Sequence, residues 1–249
     1  MNIKTKNFIC LIFIAIISIN SSIAEDLDVN YTLFIKIFGA EIKIGQINSN
    51  MKINKDKYQL FFTLESEKLI NFIRPIDGNG NVYGKIDNLT LMPTNYEYNY
   101  IKKKIIKNTK IQFNNSNVTA SITIPSFDKS KLSPVNNDTL VNVIDPITAI
   151  IYLGDYELNK KCTVNYRIYD GKRRYDLRYT KLFNKDGYKI CRLTQDRIGG
   201  FKLKDKQDSA FEPAQEIDTY FKKINDKYFL KKIISKNKLS NIFIDVNYN

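Results

Sequence analysis

Histidine is absent from all 249 residues. That excludes Ser-His and Cys-His nucleophile pairs and any zinc site built on imidazole. Cysteine is nearly absent as well, with Cys10, Cys162 and Cys191 the only three, so no thiolate metal cage is expected. None of the ten glycines builds the glycine-rich loop that cradles a phosphate, and no cofactor is implied. Ser126-Phe127-Asp128-Lys129 and Ser235-Lys236-Asn237-Lys238 match S-x-x-K, the pattern in which a lysine activates a serine. In a chain with 39 basic residues, almost all of them lysine, chance alone produces such matches, and the first lies in a polar stretch.

Long apolar runs are scarce too. The one that stands out, Phe8 to Ile19, follows Lys4 and Lys6 and precedes Ser22-Ile23-Ala24. A charged start, a short apolar centre and small residues at its end describe a secretory signal peptide over 1–24. The run is shorter than the roughly 20 residues a membrane span needs. Cys10 lies at its beginning, where a lipidated cysteine would not be, and leaves with the peptide. The expectation is an exported, periplasmic chain starting at Glu25, with no transmembrane segment after processing. Removing Lys4 and Lys6 from the formal charge of +13 leaves +11, which favours anionic surfaces. The lysines are scattered and no basic recognition motif occurs, so nucleic acid is not an expected partner.

What the chain has in quantity is alternation. A hydrophobic fraction of 43%, with 16 Tyr and 15 Phe, suffices for a substantial core, read here as one β-rich domain over 25–249. Runs such as "YTLFIKIF", "AEIKIGQINSNMKI" and "KYQLFFTLE" alternate apolar and polar residues. Strands resume at "NVYGKID", "NYEYNYIKK", "KIIKNTKIQF" and "NVTASITI", separated by Asn, Asp, Gly and Lys turns. This is the signature of an antiparallel meander with one buried face. A short helical piece is expected at Glu67 to Phe72, stopped before Pro75, and a loop over 125–138. "DPITAIIYLG" breaks the pattern. Asp145 can cap a helix, Pro146 suits its first position and Gly154 can end it in a left-handed conformation. The fold expected is mainly β, a curved antiparallel meander or half-barrel with one short buried helix near 146–153.

"YRIYDGKRRYDLRYT", residues 166–180, holds four of the seven arginines. Asp170-Gly171 signals a two-residue turn. Pairing Tyr169 with Lys172 would put Ile168, Tyr166, Val164 and Cys162 on an apolar face with Arg173, Tyr175, Leu177 and Tyr179. The other face would pair Arg167, Asn165 and Thr163 with Arg174, Asp176 and Arg178. Lys185-Asp186-Gly187 would then turn the chain into a third strand, with Arg192 joining the charged face beside Thr180. Arg167, Arg174, Asp176 and Arg178 are the candidate ligand-binding residues, since a guanidinium can grip a carboxylate or phosphate at two points. An ion-pair network is the competing reading, in which Arg174→Lys and Arg178→Lys should both cost little. In the same register Cys162 and Cys191 lie two strands apart, nearly 10 Å in a flat sheet. Export favours a disulfide between them and that spacing opposes it, so a bridge and two free thiols both stand.

"DPITA", "CTVNYRIYDGKRRYDLRYT" and "CRLTQDRIGGF" together resemble a family of exported proteins of Gram-negative bacteria, domain-of-unknown-function family 3108. Toward the end, "EIDTYFKKI" and "YFLKKIISKNKLSNIFIDVNY" are similar to it as well, although Tyr228-Phe229-Leu230 stands where the family tends to have a proline. The resemblance implies a single β-rich domain and brings no activity. A curved sheet holding a buried helix is similar in shape to the half-barrels of periplasmic lipoprotein carriers. The leading functional expectation is a noncatalytic periplasmic protein that binds a lipid-like or other cell-envelope component, with a lipid or an anionic envelope component as the expected partner. The alternatives are an enzyme acting on envelope polymer through paired carboxylates, with Asp170, Asp176 and Asp196 as candidates, and an envelope scaffold that binds other proteins.

Overall fold

The computed structural model describes residues 25–37, 40–67, 77–88, 90–102, 105–154, 161–203, 216–236 and 241–248. The expected leader 1–24 with Cys10, and the expected helical piece beyond Glu67, lie outside them.

Among the described residues thirteen strands form one antiparallel sheet. The first seven are β1 (Glu25–Ile37), β2 (Ala40–Asn54), β3 (Lys57–Ser66), β4 (Asp77–Asp87), β5 (Thr90–Lys102), β6 (Ile105–Asn114) and β7 (Asn117–Ile124). After the single α-helix among the described residues, α1 (Pro146–Gly154), come β8 (Tyr166–Tyr169), β9 (Arg174–Lys185) and β10 (Tyr188–Gly199). They are followed by β11 (Glu216–Ile224), β12 (Lys227–Lys236) and β13 (Asn241–Tyr248). The spatial order is β7-β6-β5-β4-β3-β2-β1-β13-β12-β11-β10-β9-β8. Two sequential meanders are thus joined where β1 pairs with β13. Among the described residues no helix is long and apolar enough to cross a membrane.

The turns explain why one end of the sheet is tight. Asn115-Ser116, Asp186-Gly187 and Asn225-Asp226 all have positive φ, the geometry of two-residue hairpin turns that Asn, Asp and Gly tolerate best. The expected three-residue loop at 185–187 is therefore a two-residue turn, with Lys185 paired to Tyr188. The opposite end carries the longer connections, including the β3–β4, β8–β9 and β10–β11 links.

The sheet curls without closing its ladder. Its edge strands β7 and β8 approach each other, with the Ser121 and Tyr169 hydroxyls 3.2 Å apart. The connection from β7 to β8 forms a strap across this seam. Ile144 accepts from Tyr169 N and donates to Arg167 O, while Val143 N donates to Ser116 O in the β6–β7 turn. The expected loop over 125–138 contains short 3₁₀ turns and an isolated bridge from Leu132 to Lys202, and is held by Ser133, whose N–H donates to Phe201 O.

The helix lies on the concave face. Asp145 Oδ1 accepts from Ile147 N and Thr148 N, both at 2.9 Å, and Oδ2 accepts from the Thr148 hydroxyl at 2.6 Å. These bonds satisfy the first orphan amides, as a cap must. Burial drives the Asp145 pKa upward, against the lowering effect of those hydrogen bonds. Gly154 is the last helical residue and is not left-handed, which corrects that part of the expectation. Thr148, Ala149, Tyr152 and Leu153 are buried, and Tyr152 reaches the far wall, accepting from Leu91 N and donating to Leu91 O.

Candidate functional site

Strand β4 reads "DGNGNVYGKID", which places Gly78, Gly80, Val82 and Gly84 on one face. That face is the concave one, and the glycines leave room for rings from β3 and β5 to lie across it. A Cβ on Gly80 would stand 2.5 Å from the Phe62 ring, and one on Gly78 would stand 2.9 Å from Tyr98. On β5, Tyr96, Tyr98 and Tyr100 alternate inward. Phe62 stacks on Tyr98 at 5.5 Å between centroids, and Tyr98 on Tyr100 at 5.3 Å. The ladder of rings forms one wall of a cavity of about 550 Å³, whose other walls include Ile47, Leu64, Ile147 and Tyr175. This volume is within the range of small-molecule sites. Burial raises the pKa of Tyr98 to about 12, with Tyr100 adding to the effect. A smaller apolar pocket of about 60 Å³ beside the helix shares Ile47, Phe62 and Ile147 with it and continues to Ile150 and Ile151.

Cations gather at the cavity's edge. Lys107 of β6 and Lys172 and Arg173 of the β8–β9 turn all line it. Burial lowers the Lys172 pKa, and Arg173 lowers it further, with smaller contributions from Lys107 and Lys202 in the same sense; Asp170 opposes them. One carboxylate therefore faces several cations, and Asp170 is already engaged. It accepts from Lys172 N at 2.9 Å, from Arg173 N and from Arg173 Nε at 2.7 Å. The electrostatics suit an anion at the mouth of an apolar chamber.

The same Asp170 bonds correct the hairpin register. By holding the Lys172 and Arg173 amides, Asp170 takes both residues out of the ladder, and the closing pair becomes Tyr169 with Arg174. The slip is two residues, so each side chain keeps its expected face. The pairs change, however: Arg167 faces Asp176, and not Arg174.

The candidate arginines meet protein groups. Among the described residues Arg174 is the largest side chain that is fully buried, at 1% exposure, because the strap covers it. Its Nε donates to Thr139 O at 2.8 Å, and its Nη1 to Tyr175 O at 2.7 Å and to Asp176 Oδ1. Arg167 Nη2 donates to the same Thr139 oxygen at 3.2 Å. Arg178 stands apart from these, gripping Asp196 with two bonds of 3.0 and 3.2 Å. Arg192 and Lys236 hold the buried Asp218. The paired-carboxylate candidates Asp170, Asp176 and Asp196 thus each carry an arginine. Thr180 contributes its hydroxyl to Arg192 O, at a bulge.

Cys162 and Cys191 are joined, with Cα atoms 5.8 Å apart. The flat-sheet estimate is corrected because β8 begins only at Tyr166 and Cys162 precedes it with φ +68°. The chain at Cys162 is therefore free to fold over β10 beneath it.

A family model described as a protein of unknown function, DUF3108, matches residues 28–229. The chain belongs to the DUF3108 family. The matched span contains Lys107, Lys172, Arg173 and the whole tyrosine ladder. No curated protein matches the chain. Among solved structures it is similar to a β-barrel-like protein of domain of unknown function DUF1849 from Brucella abortus, with 8% identity and a TM-score of 0.43 over 90% of this chain and 98% of that one. It is also similar to a LolA superfamily protein from Nitrosomonas europaea, with 9% identity and a TM-score of 0.23 over 90% and 84% of the two chains.

A curved sheet around an apolar cavity was expected from the sequence, but the search for anion-binding groups turned to the arginine-rich strand face and missed the cations at the cavity's edge. These come from two hairpin ends far apart in the chain. The available signals were "IKKKIIK" and "DGKRR", both basic and both at turns; their meeting depends on how far the sheet curls.

Proposed function

We propose that this DUF3108 protein is a noncatalytic, exported periplasmic protein that binds an amphiphile of the cell envelope. The apolar chain would lie against Phe62, Tyr98 and Ile147, and the acidic head would sit among Lys107, Lys172 and Arg173. The observation that carries this reading is the aromatic cavity edged by cations. Burying a methylene contributes about 0.8 kcal/mol, so a chain of moderate length supplies ample driving force. The head group supplies orientation and specificity. The leader at 1–24 and the positive net charge support an envelope location.

Displacement of a dansylated fatty acid tests the reading. Protein purified without detergent should bind the probe, and a Lys107→Glu/Lys172→Glu variant should bind it at least ten-fold more weakly with an unchanged melting curve. Failure of the wild type to bind any acyl chain, or equal binding by the variant, would refute it.

A further inference from the structure

The cavity opens beside an unusual piece of surface. Among the described residues five large hydrophobic side chains are more than half exposed, and four of them, Ile105, Ile106, Ile122 and Ile124, stand on β6 and β7. Ile101 of β5, at 42% exposure, is the direct cross-strand partner of Ile106. Ile124 pairs with Asn108, one step of the same face beyond Ile106, and Ile122 follows it along β7. Ile101, Ile106, Ile122 and Ile124 therefore form an apolar strip on the outer face of this corner, while Ile105 stands on the same face of β6 as Lys107. Such strips mark interaction surfaces on soluble proteins.

Two further observations identify the occupant. Ile101 also lines the amphiphile cavity, so the strip and the cavity mouth are continuous. Lys107, the residue after Ile106, faces the cavity edge together with Lys172 and Arg173, so cations border the isoleucines. Isoleucines bordered by cations match a bilayer of anionic lipid, where apolar side chains enter the headgroup boundary and cations meet the lipid phosphates.

We infer that the β5–β7 corner is the docking face through which the protein settles on an anionic membrane, with its cavity mouth turned to the lipid. This rests on the reading of the cavity as an amphiphile site. It adds how the cargo would enter and leave without crossing water.

Co-sedimentation with vesicles tests it, using phosphatidylglycerol mixed with phosphatidylcholine against phosphatidylcholine alone. Wild type should partition onto the anionic vesicles at least ten-fold more strongly, and less so at high salt. Ile106→Asp/Ile124→Asp, two exposed outer positions, should lose at least ten-fold of that partition while keeping its melting curve and its affinity for the soluble dansylated fatty acid. Phe61→Asp, on the outer face of β3, is the control: Phe61 is 42% exposed and lies away from the corner, and its replacement should leave partition unchanged. No wild-type binding to anionic vesicles, or undiminished binding by the double variant, overturns the inference, as does a self-associated dimer that the double variant breaks without any vesicle binding. Vesicle binding without uptake of the fatty acid would keep the docking face and discard the carrier reading. Uptake without vesicle binding would do the reverse.

Discussion

Arg174 and Thr139 lie 35 residues apart, yet Arg174 Nε donates to the Thr139 carbonyl oxygen at 2.8 Å and fixes the strap over the strand. Arg167 reaches the same oxygen. This explains the choice of arginine in a lysine-rich chain. Only a planar fork can serve Thr139 O, Tyr175 O and Asp176 together while enclosed. Arg174→Lys should therefore lower stability by about 2 kcal/mol or more, because buried carbonyls would lose their donors. That corresponds to a melting temperature lower by roughly 4–8 °C. Arg178→Lys, on an exposed pair with Asp196, should cost below about 1 kcal/mol. The two substitutions are thus expected to differ, contrary to the reading of an open charged face. Equal melting temperatures would contradict the buried clamp.

The Cys162–Cys191 link closes a loop with a sequence separation of 29. Loop-closure entropy for that size suggests about 3–4 kcal/mol of stabilisation. Both sulfurs should resist alkylation until reductant is added, and reduction should lower the denaturation midpoint accordingly. Ready labelling of the native, unreduced protein would contradict the bridge.

Two glycines separate space from backbone conformation. Gly80 has no room for a Cβ against Phe62 and the Glu97 carbonyl, so Gly80→Ala should destabilise by about 1–3 kcal/mol and disturb the aromatic wall. Gly187 has open space around it but φ +77°, so Gly187→Ala should cost only about 1 kcal/mol. Gly187→Asn should recover part of that loss, since Asn tolerates the left-handed region. Thermal melts of the three variants check the ordering.

Burial raises the pKa of Tyr31 and Tyr98 to about 12. An unfolded tyrosine ionises near 10, so folding favours the neutral phenol. The stability this contributes is fully present below about pH 10 and is lost as pH rises from there toward 12. Melting temperature should fall steeply across that window, and the late part of the tyrosinate absorbance rise should coincide with loss of the circular dichroism signal. Complete ionisation near pH 10 with the fold intact would contradict the buried ladder.

Strand positions were legible because period-two alternation and Asn, Asp and Gly turns are local signals. The helix was legible from Asp145-Pro146 for the same reason. The hairpin register was not, because Asp170 recruits two amides that an Asp-Gly turn would have left in the ladder. Nor was the burial of Arg174, which depends on a strap arriving from the other edge of the sheet. The cations at the cavity's edge were the least legible feature. Lys107 and Lys172 meet only when a thirteen-stranded sheet has curled far enough to bring its edges together, and no spacing along the chain records that curvature.

The helix face offers the sharpest test of the carrier reading. Ile150 and Ile151 line the small apolar pocket that shares Ile47, Phe62 and Ile147 with the main cavity. An acyl chain anchored by its head near Lys172 would run past Ile147 and end there. With about 0.8 kcal/mol for each buried methylene, affinity for unbranched fatty acids should rise roughly four-fold per carbon and then level off once the chain fills the space. Ile150→Phe narrows the end of that path without touching the cations. It should leave short-chain affinity unchanged and bring the plateau to a shorter chain. Isothermal titration over a ladder of chain lengths measures both effects. A plateau unmoved by Ile150→Phe would place the chain elsewhere, and an affinity that does not depend on length would remove the apolar chamber from the binding site.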